Sequence, residues 1–115
     1  MIKAEFLRCN GECVAFSISG HAGAGRYGQD IVCAAVSSAV MLTCNTITDF
    51  LYTPCDVRSE ANKVTLIIKE PEGAMSIAAK QVLGSFCKHL QILAEESSKI
   101  EIKFKDTVYQ KGKKS

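Results

Sequence analysis

Cys33 and His21 are the two residues whose types and positions could carry covalent chemistry. Cys33 lies three residues after Asp30, a good N-cap, and so falls in the first turn of a predicted helix. Unsatisfied backbone N–H groups in that turn favour a nucleophilic thiolate and could bind an oxyanion. His21 lies at the far end of a glycine-rich stretch that could fold back over the turn, which would bring a general base to the thiol.

A polar stripe supports this hypothesis. Asp30, Cys33 and Ser37 follow one another at i+3 and i+4, and therefore share one face of an otherwise apolar helix. The negative charge of Asp30 would oppose thiolate formation, so capping is its expected role. The structural alternative is that Cys33 is a small buried helix residue and His21 a polar loop residue. The residues alone leave a candidate thiol site whose reaction class is open.

The glycine stretch also permits a different function. Gly23, Gly25 and Gly28 form a G-x-G-x-x-G between a predicted strand and a helix, as in dinucleotide sites. The preceding strand belongs to a predicted hairpin, however, and Asp49, at the distance of the usual acidic residue, lies inside the helix. Nucleotide binding is therefore the third hypothesis.

The surrounding elements predict the fold class. Alternating residues on either side of Asn10-Gly11 indicate a β-hairpin. Residues 31–50 favour a long, largely buried helix, and the three-to-four spacing of apolar residues over 74–96 indicates a second. Further strands are expected at 57–61, 64–69 and 100–105. The order β-β-α-β-β-α-β predicts an α+β, two-layer fold with both helices on one face of a mixed, mostly antiparallel sheet. Residues 1–106 form the expected single domain, and 107–115 a basic, flexible tail.

Residues 20–37 resemble the ribosomal-processing cysteine protease family, Prp. Gly20-His21-Ala22, the glycine loop and the run from Asp30 to Ser37 carry the resemblance, and the chain length and element order agree with it. The resemblance implies a nucleophile at Cys33, a base at His21 and supporting motif positions at Gly20, Asp30 and Ser37.

The resemblance also implies an activity and partners. The family removes a short N-terminal extension from the bacterial large-subunit ribosomal protein L-twenty-seven, works as a homodimer and has a mobile loop that reshapes around peptide. In this chain that substrate-binding loop would contain Gly20, Gly23, Gly25 and Gly28. The class-distinct alternative is a non-enzymatic, ribosome-associated module that binds protein or RNA through the glycine loop and basic tail.

Composition excludes several other classes. The chain has 115 residues, 47% of them hydrophobic, and a net charge of +2, so one soluble domain is expected. Six cysteines are too few for a disulfide scaffold, and no signal peptide opens the sequence. The apolar stretch 31–42 is shorter than the roughly 20 residues of a membrane span. We therefore expect a cytoplasmic protein without membrane or nucleic-acid contact.

The remaining cysteines give no metal site. Cys9 and Cys13 could face each other across a three-residue hairpin loop, but no second pair supplies the other ligands of a zinc site. We expect these two to be partly exposed thiols and Cys55 and Cys87 to fill small apolar spaces. No metal and no cofactor are predicted. Met41, Leu42, Ile47 and Phe50 are expected in the core, although an apolar surplus on this helix would also suit a dimer interface.

Overall fold

Two antiparallel hairpins and one parallel strand build the sheet in the computed structural model, which describes residues 1–20 and 31–107. The strands are β1 (Ile2–Cys9), β2 (Glu12–Ser19), β3 (Cys55–Glu60), β4 (Lys63–Ile68) and β5 (Ile100–Thr107). Their order across the sheet is β3-β4-β2-β1-β5, and only the β1–β5 pair is parallel. The mixed, mostly antiparallel sheet is therefore confirmed.

Two helices cover one face of this sheet. They are α1 (Ile31–Asn45), which continues as a π-helical turn (Thr46–Phe50), and α2 (Ile77–Glu96), which a short 3-10 turn precedes (Ala74–Ser76). The chain order is the predicted β-β-α-β-β-α-β. The predicted fold class is confirmed, and element ends differ by one to three residues.

The first hairpin forms at the predicted turn. Asn10 and Gly11 have φ of 55° and 85°, the left-handed values that a two-residue hairpin loop requires. Because the loop has two residues, Cys9 pairs with Glu12 and Cys13 pairs with Arg8, and the register shifts only beyond this pair, between Arg8 and Leu7. The expected pairing of Cys9 with Cys13 across a three-residue loop is wrong. Both thiols are also buried rather than partly exposed.

The core lies between the sheet and the helices and contains three buried phenylalanines, against which a fourth, the partly buried Phe104, packs. The Phe16 ring lies 4.9 Å from that of Phe86 on α2, and Phe6 lies 5.8 Å from Phe86 and 6.0 Å from Phe104. Burial of these rings removes a large apolar area from water and fixes α2 on the sheet. The buried face of α2 consists of Ala79, Leu83, Phe86, Cys87 and Leu90.

The first helix is less buried than expected. Val36, Val40 and Thr43 are its buried residues, and Ile47 in the π-turn is fully buried. The expectation that Met41, Leu42 and Phe50 belong to the core is wrong, because they are 64%, 69% and 79% exposed. The helix has no charged side chain on any side, so its composition does not show which side the sheet covers.

The apolar stretch 31–42 is too short for a membrane span, but it is part of a longer helical run that extends from Ile31 to Phe50. The run has 20 residues and contains an 18-residue window with a mean hydropathy of 1.7, so by length and composition alone it could cross a membrane. The core helix of a soluble protein passes the same test. Here Val36, Val40 and Ile47 pack in the core cluster together with residues from the sheet and from α2.

Candidate active site

Cys33 is the third residue of α1, as the sequence predicted. It lies in the first helical turn, where backbone N–H groups have no intrahelical partner and the positive end of the helix dipole is located. The residue is partly buried and packs against the hydrophobic core cluster. The core therefore holds the Cys33 thiol in place, close to first-turn backbone N–H groups that can donate hydrogen bonds to an anion.

The core fixes the part of α1 that carries the thiol. Val36 and Val40 follow Cys33 along the helix, are 0% and 3% exposed, and belong to the core cluster. Ser37 lies one turn beyond Cys33 and is partly exposed. The polar stripe of the sequence analysis therefore survives for Cys33 and Ser37, which lie on the same side of the helix.

Gly20 lies at the end of β2, where the chain leaves the sheet on its way to α1. It has a φ of 81°, and its N–H donates a hydrogen bond to the carbonyl oxygen of Asn62 in the β3–β4 turn at 3.2 Å. The other predicted loop and base residues lie outside the described residues; they are His21, Gly23, Gly25, Gly28 and Asp30.

Two other thiols, those of Cys44 and Cys87, have raised pKa values, which makes them poor nucleophiles at neutral pH. Burial, together with a smaller effect of neighbouring Cys55, raises the pKa of Cys44 to about 11. Burial likewise raises the pKa of Cys87 to about 11, where Cys13 lies beside it. These thiols stay protonated at neutral pH, so they are packing residues, as predicted for Cys87.

Within the two described ranges, no cluster of His, Cys, Asp or Glu could hold a metal ion. The six cysteines form no disulfide bond within the chain. His89 is exposed on α2.

Sequence reasoning missed a groove between the two helices. It has a volume of about 550 Å³. Ala35, Ser38 and Leu42 line it from α1, and Val82 and His89 line it from α2. The one sequence signal for it was the apolar surplus of α1, which has no charged residue from Ile31 to Thr48.

The comparison with family models decides what kind of site this is. The model of the family described as cysteine protease Prp matches residues 1–103. The chain belongs to the cysteine protease Prp family. It is therefore an enzyme, which confirms the predicted cysteine protease over the two alternatives, a non-enzymatic binding module and a nucleotide-binding domain. The described thiol at the start of α1 fits a cysteine protease.

Solved structures show the same fold. SMU.848 from Streptococcus mutans is 25% identical, with a TM-score of 0.78 over 93% of this chain and 99% of that chain. The essential ribosomal processing protease Prp from S. aureus, with a covalently linked product peptide, is 24% identical, with a TM-score of 0.78 over 91% and 100% of the two chains. The same S. aureus protease with a substrate peptide is 23% identical, with a TM-score of 0.77 over 91% and 100%. No curated protein matches the chain significantly.

Proposed function

We propose that this cysteine protease removes a short N-terminal extension from the large-subunit ribosomal protein L-twenty-seven during ribosome maturation. Membership of the cysteine protease Prp family supports an endopeptidase. The S. aureus protein of the same fold is described as a ribosomal processing protease and has been crystallised with substrate and product peptides. The observation that carries the proposal is a partly buried cysteine in the first turn of α1, within the matched region.

The proposed mechanism is acyl transfer through Cys33. His21 takes the thiol proton, and the thiolate sulfur attacks the scissile carbonyl carbon while the first-turn amides of α1 bind the oxyanion. The peptide C–N bond breaks as His21 passes the proton to the leaving amine, which is the new N-terminus of the shortened protein. Water then attacks the thioester and releases the extension as a carboxylic acid. Because water is the only co-reactant, hydrolysis by this route needs no cofactor and no metal.

The remaining motif residues have supporting roles in this proposal. The role expected of Asp30 is to cap α1, and Ser37 extends the polar stripe of the helix next to Cys33. The loop of Gly20, Gly23, Gly25 and Gly28 contacts the substrate peptide, and its closure would exclude water until the site is assembled.

We further propose that the protein is a cytoplasmic homodimer. Six cysteines without a disulfide fit a reducing compartment. The outer side of α1 carries no charge, and most of the residues exposed there at regular helical spacing are apolar. Its residues are Ile31, Ala34, Ser38, Met41, Leu42 and Asn45. An uncharged stripe of this kind, beside the groove between the helices, suits helix-to-helix packing with a second copy.

The proposed function is tested by cleavage of the first residues of the host's own L-twenty-seven protein. Cys33→Ala and His21→Ala are expected to abolish cleavage while circular dichroism stays that of the parent, because alanine is a good helix former. Cys44→Ala, a thiol deletion in the same helix, is the matched control and should retain cleavage. Cleavage by Cys33→Ala at the parent rate would disprove the assignment.

A further inference from the structure

Gly20 is held between two pieces of backbone at the point where β2 ends. Ser19, the last residue of β2, pairs with Lys3 on β1 and Lys63 on β4, so both neighbours fix the strand up to this residue. The next N–H, that of Gly20, donates to the carbonyl oxygen of Asn62 at 3.2 Å. One side of the chain exit is therefore tied to the β3–β4 turn.

The carbonyl group of Met1 occupies the other side. A Cβ atom at Gly20 would overlap the Met1 carbonyl oxygen, and it would lie 3.3 Å from that carbonyl carbon and 3.6 Å from the Cα of Ile2. These atoms are all backbone, so no side-chain rotation relieves the overlap. The backbone is also anchored, because Ile2 donates its N–H to Lys99 at 2.7 Å and is 4% exposed.

Gly11 shows that this steric demand is separate from the backbone conformation. It has nearly the same φ, 85° against 81° at Gly20. A Cβ at Gly11 would meet nothing within 4 Å. An alanine therefore suffers the same left-handed strain at both positions, but only at Gly20 must the chain also move.

We infer that Gly20 is a positioning residue for the base at His21, because it lets the chain leave the sheet between the backbone of Met1 and that of Asn62. His21 is the next residue in the chain, so a shift at Gly20 is passed on directly. Displacing a catalytic group by about 1 Å can cost on the order of 100-fold in rate. The inference rests on the proposed function, in which His21 activates Cys33.

The test compares Gly20→Ala with Gly11→Ala in the full chain. Both should lower the thermal unfolding midpoint, since both place a Cβ in the left-handed region. At a temperature where both are folded, Gly20→Ala should lower kcat for the L-twenty-seven peptide by about tenfold or more, whereas Gly11→Ala keeps the parent value. Iodoacetamide labelling of Cys33, followed by peptide mapping, should slow in Gly20→Ala alone.

Two further variants separate positioning from a general structural effect. A Gly20→Ala chain released from a cleavable fusion so that it begins at Ile2 lacks the overlapping carbonyl, and its kcat should return towards that of the parent beginning at Ile2. In a His21→Ala background, Gly20→Ala should slow the labelling of Cys33 no further, because its effect passes through His21.

The outcomes distinguish this inference from the proposed function. If Cys33→Ala or His21→Ala cleaves as the parent does, the proposed function fails and the inference fails with it. If both are inactive but Gly20→Ala keeps the parent kcat and labelling rate, the inference alone is overturned. A loss that persists without Met1, or that adds fully to His21→Ala, also overturns it.

Discussion

The two helices lie on the same face of the sheet but differ in almost every other respect. Helix α2 is amphipathic, with five buried residues and with charged residues such as Lys88 and Glu95 on its outer side. Helix α1 buries three residues, has no charged side chain and exposes large apolar ones such as Met41 and Leu42. The two helices therefore differ in how much of their apolar surface the protein buries.

The difference teaches where stability and function are located. The aromatic contacts of Phe86 place α2 at the centre of the core. Cys33 is in α1, which follows directly after the glycine loop and ends in a widened π-turn. In that turn Thr46 and Thr48 donate side-chain hydrogen bonds to carbonyls four residues back, at 2.7 and 2.9 Å. Helix α2 is fixed by core packing, whereas α1, which carries the Cys33 thiol, keeps an uncovered apolar side.

The largest expected effect is the loss of stability on truncating the core of α2. Phe86→Ala should reduce the free energy of unfolding by about 3–5 kcal/mol, because it removes a buried ring and leaves a cavity. Phe50→Ala, at the end of the α1 run and 79% exposed, should change it by less than about 0.5 kcal/mol. Urea unfolding measures both. Equal losses would show that the two helical segments contribute equally to the core.

A charge introduced on the outer side of each helix tests whether a second copy of the chain covers α1. Leu42→Glu should convert a dimer to a monomer in light scattering at micromolar concentration, because it buries an unpaired carboxylate in the proposed interface. Ile77→Glu, a similarly exposed position on α2, should leave the dimer intact. A parent that is monomeric, or a Leu42→Glu variant that remains dimeric, would remove α1 as the interface.

Thiol reactivity should differ within α1 as well as between the helices. At pH 7.5 iodoacetamide is expected to label Cys33 and to leave Cys44 and Cys87 unmodified. Because burial raises the pKa of the latter two to about 11, their labelling should increase about tenfold per pH unit up to that value. Mass spectrometry after proteolysis gives the three rates, and Cys44→Ala identifies the peptide of its thiol.

The same two shifts predict a loss of stability in alkali. The thiols bind their protons more tightly in the folded chain than in the unfolded chain, where the ordinary pKa is 9.0. Their contribution is therefore complete below pH 9 and is lost as the pH rises towards 11. The unfolding midpoint should fall across this window, and Cys44→Ala should flatten the decline. A midpoint independent of pH from 9 to 11 would contradict the burial of these thiols.

The smallest effect concerns the outer surface of α2. Gly84 lies in mid-helix, and a Cβ there meets nothing within 4 Å. Gly84→Ala should therefore stabilise the protein by about 0.5–1 kcal/mol and raise the melting temperature by a few degrees. Gly73→Ala is the control and should not stabilise the protein, because its Cβ would lie 3.2 Å from the carbonyl oxygen of Glu70. No gain at Gly84 would mean that something covers this side of α2.

Local signals predicted the elements well. The Asn10-Gly11 pair predicted the first hairpin, and the alternation of apolar and charged residues predicted β5. The predicted start of α1 placed Cys33 in the first helical turn. Burial was predicted less well. A helix without charged side chains, such as α1, has no strongly polar side that shows where solvent lies, so its pattern predicts Met41 and Leu42 in the core although they are exposed. Gly20 was recognised as a motif glycine, but its contact with Met1 depends on sheet pairing, which no local pattern contains.

An electrophilic peptide tests most directly whether the thiol of α1 is the nucleophile. A chloromethyl ketone ending at the residue before the cleavage site of the L-twenty-seven peptide should add once per chain, on the fragment that contains Cys33. Excess unmodified peptide should slow the reaction, and Cys33→Ala should prevent it. Stoichiometric addition to another cysteine, or full inhibition of cleavage with Cys33 unmodified, would contradict the account.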